Sequence, residues 1–275
     1  MDQNRIKEAV AERNESSGEG RTEETHNEKL RRDLQRNLHQ NPRSNHETGI
    51  LAIFFSLAFI FILLITSFEA VCYWTPGLYD REFRKYNVPF LLEYWKGDRM
   101  DYDGVNTVID ETMRYLRGDR DNLIVEVPIN GEMQNFYRED EISHMTDVRN
   151  LFIGAIHLRR WAIAFCIAAV AWIIRKDRSR APGILGRGYL RTCLLILGAA
   201  AVVGILAATD FTKYFTIFHQ IFFSQGNWEF DPRVSRMICI MPEEFFADIA
   251  LRVLITFLVS AAVFLIWAKR MVGVK

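Results

Sequence analysis

Two histidines stand out as groups able to move protons near neutral pH: His144 in "EISHMTDV" and His219 in "FHQIFF". Imidazole is the side chain whose charge ordinarily changes between about pH 5 and 8. A pair of them can divide acid–base work, one removing a proton and the other delivering one to a leaving group. His144 precedes an apolar run that begins at Leu151, and His219 lies between two later apolar runs. Asp147 follows His144 by one helical turn, close enough to orient its ring or tune its proton affinity. The plainer reading of each histidine is a polar residue at a membrane interface.

Other constellations are sparser. No G-x-S-x-G elbow marks a serine nucleophile and no H-E-x-x-H motif is present. The four cysteines show neither CxxC nor CxxH spacing. A metal site built from His144, Asp147 and His219 would have the spacing of no standard ligand set. No metal and no cofactor are expected. Arg159 and Arg160, with His157, fall inside an apolar run, where charge is costly. They either snorkel to the headgroups or hold an anionic or developing-oxyanion group, and Arg252 has a similar place in the last run. Cys72 and Cys239 are open to bridging, whereas Cys166 and Cys193 read as packing residues.

The elements that must position these residues follow from hydropathy. Four apolar runs, about 50–71, 151–174, 189–208 and 249–268, are each long enough to cross the ~20 helical residues of a hydrocarbon core. Backbone groups in lipid must bond internally, which makes each run a helix. The loop "RKDRSRAPGILGRGYLR" has six basic residues against one acid. The tail after the fourth run and the stretch before the first are also basic. With four spans all three lie on one side, so both termini are expected to be cytoplasmic. The 275 residues carry a formal net charge of zero, and the basic stretches do not suggest nucleic acid as a partner.

Residues 1–48 contain no aromatic residue and are rich in Glu, Arg, Asn and Gln. They read as a disordered or loosely helical tail, with a charged helix over 23–39 and solvated His26, His39 and His46. Residues 49–275 form the membrane domain. Its outward segment 74–150 is rich enough in Tyr, Trp, Phe and Leu to fold as a cap. Val105, Val108, Ile109, Thr112 and Leu116 have helical spacing up to a stop at Gly118. Two short strands flank the Asn130-Gly131 turn, with Pro128 at an edge position. The second outward segment, 209–247, is heavily aromatic and suits the membrane interface. The expected architecture is an α-helical integral membrane protein, a four-transmembrane-helix bundle with a small α+β extracytoplasmic cap.

Read in order, "DETMRYLRGDRDNLIVEV", "NGEMQNFYREDEISHMTDVRNLF", "FHQIFF" and "NWEFDP…PEEFF" form a series separated by membrane spans. That series resembles the bacterial lipoprotein intramolecular transacylase (Lit) family of four-span membrane proteins, over roughly residues 50–268. The resemblance implies transfer of the sn-2 acyl chain of a lipoprotein's diacylglyceryl-cysteine to the α-amine of that same cysteine, giving a lyso-form lipoprotein. It matches the family's two essential histidines to His144 and His219, and adds Trp228 and Asp231 of N-W-x-F-D-P as supporting candidates. The family pattern often has an acid four residues after that Asp, where this chain has Ser235. The implied partners are diacylated lipoproteins and the lipid bilayer, and the implied location is a bacterial cell membrane with the active site at the outer leaflet.

The chemistry suits these residues. An α-amine has a pKa near ~8, and donor and acceptor sit in one molecule, so proximity supplies much of the acceleration. No protein nucleophile is required. Either histidine can be the base and the other the acid, Arg159 or Arg160 or backbone donors can hold the oxyanion, and an acyl-imidazole intermediate is a variant. The competing readings are a phospholipid or lysolipid acyltransferase using the same histidines, and a non-enzymatic membrane partner protein.

Overall fold

A computed structural model of the chain describes Glu28 and residues 42–223 and 225–273. The charged helix expected over 23–39, with His26 and His39, falls outside the described residues apart from Glu28. In chain order, α1 (Pro42–Trp74) leads into three short helices, α2 (Leu78–Lys85), α3 (Val88–Lys96) and α4 (Tyr102–Arg117). An antiparallel hairpin of β1 (Glu126–Ile129) and β2 (Glu132–Asn135) follows. Then come α5 (Glu139–Lys176), α6 (Ala181–Thr209), α7 (Phe211–Phe222), α8 (Arg236–Ile240) and α9 (Glu243–Gly273).

Among the described residues, α1, α5, α6 and α9 are long and apolar enough to cross a membrane. They run well beyond the apolar runs of the sequence. The 38 residues of α5 make a rod of ~57 Å at ~1.5 Å per residue, nearly twice a hydrocarbon core of ~30 Å. Its first three turns, Glu139 to Asn150, therefore stand clear of the apolar run and belong to the cap. Helix α5 is the one continuous element joining cap and bundle on which a candidate histidine rides.

The bundle packs through small residues. A Cβ on Gly186 would lie 2.9 Å from the Ala268 carbonyl oxygen of α9, and one on Gly188 would lie 2.8 Å from the Ala52 Cβ of α1. Only glycine lets these backbones approach so closely, the usual means of helix association where lipid removes the hydrophobic driving force. Phe59 and Phe264 then meet edge to face, with centroids 4.8 Å apart.

The cap has its own core. Phe83, Leu92, Val105, Val108, Ile109 and Phe136 are buried together with Met237 and Ile240 of α8. Helix α4 occupies the expected stretch and ends at Gly118, whose φ of 90° is left-handed. Asn130 and Gly131 both have positive φ, as a tight hairpin turn requires. Pro128 pairs with Met133 in a sheet of two strands, where every strand is an edge. Cap and bundle are tied by ion pairs: Arg252 of α9 donates to Glu82 of α2 at 2.7 Å, and Lys85 pairs with Asp248.

Candidate active site

His144 sits in the second turn of α5. The N-terminus of that helix is organised by Glu141, which is fully buried. The Glu141 carboxylate accepts the Arg138 backbone N–H at 2.8 Å, the Ser235 hydroxyl and the Met237 backbone N–H at 3.4 Å. Ser235 in turn caps α8 by accepting from the Ile238 N–H at 3.3 Å. One buried acid thus fixes both the start of α5 and the segment that closes over it. Sequence reasoning missed this residue. Its only signal was a Glu at the third position of a helix whose N-cap is arginine, not the Ser or Thr of a capping box.

His219 arrives on α7, which begins at Asp210 capping the Lys213 N–H at 3.0 Å. Phe215 and His219 share the inward face of α7, and Phe215 packs on Phe246 of α9 at 5.3 Å. Ile221 and Phe222 point outward, 69% and 50% exposed. This amphipathic, aromatic helix fits the expected interfacial character of the segment.

The two imidazoles meet. Their centroids are 6.1 Å apart with planes inclined by 28°. Phe223 contacts both rings, at 4.9 Å from His144 and 5.5 Å from His219. Trp228 lies 5.0 Å from His219 at 36°, and Phe230 packs on His144 at 5.7 Å. Both histidines line a cavity of about 280 Å³, bounded otherwise almost wholly by apolar side chains of α1, α4, α5, α7 and α9 and of the segment after α7.

The two rings differ in their hydrogen bonds. His219 Nδ1 lies 2.8 Å from the Phe215 carbonyl oxygen. A carbonyl only accepts, so Nδ1 carries the proton and Nε2 holds a free lone pair. Burial holds the His219 pKa below its ordinary 6.5, with the Phe215 bond acting in the opposite direction. His144 is buried, and its Nδ1 has no hydrogen-bond partner among the described residues. The Asn227 carboxamide is within interaction range of that ring, and its own buried Oδ1 is also without a partner.

The supporting candidates are placed variously. Asp147 hydrogen-bonds not to the imidazole but to Gln225 and to Asn227 Nδ2, the latter at 3.0 Å. It holds the segment that carries Asn227 and Trp228, an arrangement that spacing along one helix does not reveal. Arg159 is paired with Glu69 of α1, and Arg160 is exposed. Neither arginine lines the cavity. Asp231 is engaged by Arg233 at 2.8 Å, which lowers its carboxyl pKa, and it too stands outside the lining. Trp228 lines the cavity, and its indole N–H has no acceptor among the described residues. The other lining hydroxyls are committed, Tyr79 to the Cys72 carbonyl at 3.0 Å and Thr112 to the Val108 carbonyl at 2.6 Å.

All four cysteines are free. Burial raises the Cys239 thiol to about 11, and its Sγ is bonded to the Pro232 and Ser235 carbonyls at 3.2 and 3.3 Å. It is therefore neither bridged to Cys72 nor a thiolate. Among the described residues no group of three or more His, Cys, Asp or Glu is gathered as a metal site would need.

Comparison with known proteins places this geometry. The model of the family described as lipoprotein intramolecular transacylase Lit matches residues 53–246. No curated protein matches the chain. Among solved structures, the membrane integral lipoprotein intramolecular transacylase Lit from Bacillus cereus aligns with a TM-score of 0.62 at 21% identity, covering 82% of this chain and 99% of that one. Two variants of that protein, with a histidine replaced by arginine or by alanine, align with the same TM-score at 20% identity. They cover 87% and 84% of this chain and 96% of each of theirs. At that identity the structural likeness speaks for the fold, a membrane-integral helical bundle. The family match spans well over half of the chain, from within α1 to the start of α9, and takes in both histidines: the chain belongs to the lipoprotein intramolecular transacylase Lit family.

Proposed function

We propose that the protein moves the sn-2 acyl chain of a lipoprotein's diacylglyceryl-cysteine to the α-amine of the same cysteine, at the outer leaflet of a bacterial cell membrane. The observation that carries this reading is the pair of imidazoles inside an apolar cavity where α5 leaves the membrane. The substrate offers an apolar chain, an ester and an amine within a few bonds of one another. The cavity offers apolar walls and two proton-transfer groups at matching scale. The basic residues between α5 and α6, at the end of the bundle away from the cap, favour a cytoplasmic position for that end and for both termini.

The proton balance is simple. The neutral amine attacks the ester carbonyl, a C–N bond forms and the oxygen becomes an oxyanion. His219 Nε2, whose lone pair is fixed by the bond at Nδ1, accepts one proton from the attacking nitrogen. The tetrahedral species collapses with cleavage of the C–O bond. The proton taken up by His219 is relayed through the neighbouring His144 ring to the departing glyceryl oxygen within the same turnover, so both imidazoles end the cycle neutral. No acyl-enzyme is needed. The Trp228 indole N–H is the donor we assign to the oxyanion, since the arginines first suited to that role do not line the cavity.

The test is expression in a bacterium that makes only diacylated lipoproteins, followed by mass spectrometry of the lipoprotein N-terminus. The expected product keeps its mass but carries an amide on the α-amine and one ester on the glyceryl group. A free amine and an intact diacylglyceryl group, with the protein verified in the membrane, would refute the proposal. An N-acylated cysteine that keeps both esters would indicate an external acyl donor, such as a phospholipid, instead.

A pH profile follows from the burial of His219. A base must be neutral to act, so activity is lost as pH falls through its folded pKa, which lies below 6.5. The substrate amine must also be neutral, with an ordinary pKa of ~8. In a purified assay the logarithm of the rate should therefore fall with a slope of ~1 below the amine's pKa and steepen only below pH 6.5. A second break above that value would contradict the assignment.

A further inference from the structure

A second cavity lies at the other end of the bundle. It has a volume of about 580 Å³ and shares no lining residue with the histidine cavity. It opens between the end of α5, the start of α6, the early turns of α1 and the late turns of α9. Ile174, Leu185, Trp267 and Met271 stand on its walls. Phe55 and Phe59 line one side with parallel rings 5.8 Å apart. From His144 to Ile174 along α5 is ~45 Å at ~1.5 Å per residue, so this is a different site on a different face of the membrane.

Its chemistry is two-part. The walls are apolar, and the one charged residue in the lining is Arg178, which is exposed and has no carboxylate partner among the described residues. The nearest acid in sequence, Asp177, is taken by Arg180 at 3.2 Å and by the Ser179 hydroxyl at 2.7 Å. Arg175, Lys176, Arg187, Lys269 and Arg270 belong to the same end of the bundle. Water needs two to four polar partners to occupy a cavity, and these walls provide few. A cleft of this size, within the ~300–1,000 Å³ range of ligand sites and set among membrane spans, faces hydrocarbon as its natural solvent. A guanidinium at its mouth is the side chain best shaped for a phosphate, and a basic rim attracts an anionic leaflet.

We propose that this cleft binds one anionic phospholipid, an acyl chain lying between α5 and the α1–α6–α9 packing unit and the phosphate resting on Arg178. The lipid fills a gap in the bundle that the protein's own side chains leave, and so fixes the spacing of α5 from its neighbours.

The experiment uses the full chain, delipidated in detergent and titrated with phosphatidylglycerol, with phosphatidylcholine of the same chains, and with glycerol phosphate, read by native mass spectrometry. Wild type is expected to hold one phosphatidylglycerol per chain at least ten-fold more tightly than phosphatidylcholine. Arg178→Glu should remove that preference while leaving phosphatidylcholine retention as it was, and the exposure of Arg178 makes misfolding of this variant easy to exclude by its melting curve. Leu185→Trp, which fills the cleft, should lose both lipids. Equal retention of the two lipids by wild type, or a preference that survives Arg178→Glu, would overturn the proposal. So would displacement of phosphatidylglycerol by glycerol phosphate, which would reveal an anion site without a chain. A dimer abolished by Leu185→Trp, with no lipid retained, would assign the cleft to a second copy of the chain. Transacylation by Arg178→Glu in the lipoprotein assay should continue, so failure here is distinct from failure of the proposed reaction.

Discussion

Replacing His144 or His219 with alanine should lower the rate of N-acylation of the lipoprotein cysteine by ~100- to 10,000-fold, the span measured for positioned acid–base groups. The double variant should be little worse than either single one, because residues that work as a unit lose their joint effect together. Neither ring forms an ion pair or fixes a helix end, and their neighbours Phe223, Trp228 and Phe230 remain to fill the cavity, so the melting temperature should move little. Trp228→Phe keeps an aromatic ring against His219 but removes the indole N–H. It should depress kcat by ~10²-fold or more, as loss of one oxyanion donor does, with KM nearly unchanged. N-acylation at the wild-type rate in the double histidine variant would remove the proposed acid–base pair altogether. A Trp228→Phe variant at full kcat would leave the oxyanion to backbone donors.

The second large effect concerns stability. Glu141→Ala removes a fully buried carboxylate that accepts from Arg138, Ser235 and Met237. Hydrogen bonds to a charged group contribute ~1.5–3 kcal/mol each, and a buried donor left unpaired costs ~1–3 kcal/mol. After partial relaxation the net loss should be on the order of 3 kcal/mol. For a chain of this size that is a fall of roughly 6–12 °C in melting temperature, read at a fixed scan rate because membrane proteins unfold irreversibly. Ser235→Ala, which deletes a single donor, should cost about a third as much. Activity should fall with Glu141→Ala as well, since the same carboxylate seats the turn of α5 that carries His144. An unshifted melting curve would mean that this end of α5 is held by its apolar contacts alone.

Much of this fold was legible in the sequence, for reasons that can be named. Spans are set by hydropathy and length, both local. The hairpin of β1 and β2 was legible because Asn130-Gly131 has few alternatives to a tight turn. The histidine pair was legible because few proton-transfer groups stand at that end of the bundle, and the rims of two spans can bring distant residues together. What stayed hidden were contacts made across elements. Arg159 reads as a free cation in an apolar run until α1 is laid beside α5 and Glu69 meets it. Asp147 reads as the orienting acid of His144 because the two share a helix face, yet its carboxylate turns to Gln225 and Asn227 from another segment. Ser235 reads as a departure from the family pattern. In the fold the acid its neighbourhood needs is supplied from α5 by Glu141, and a hydroxyl at 235 is what that carboxylate can bond.

In the proposed reaction, the aromatic wall around the two imidazoles also governs which reactions do not occur. An ester carbonyl activated for attack by an amine is equally activated for attack by water, and the second outcome would release a fatty acid and strip the lipoprotein of an anchor. A solvent molecule entering between Phe215, Phe218, Phe223, Phe230 and Trp228 finds few polar partners beyond the two imidazoles and the Trp228 N–H. These are the same groups that the bound ester and amine engage, so none is left to hold it. The tethered amine requires no such welcome, because it is delivered by its own substrate. Exclusion of the competing nucleophile makes the fold a transferase where the same proton chemistry in an open cleft would make a lipase.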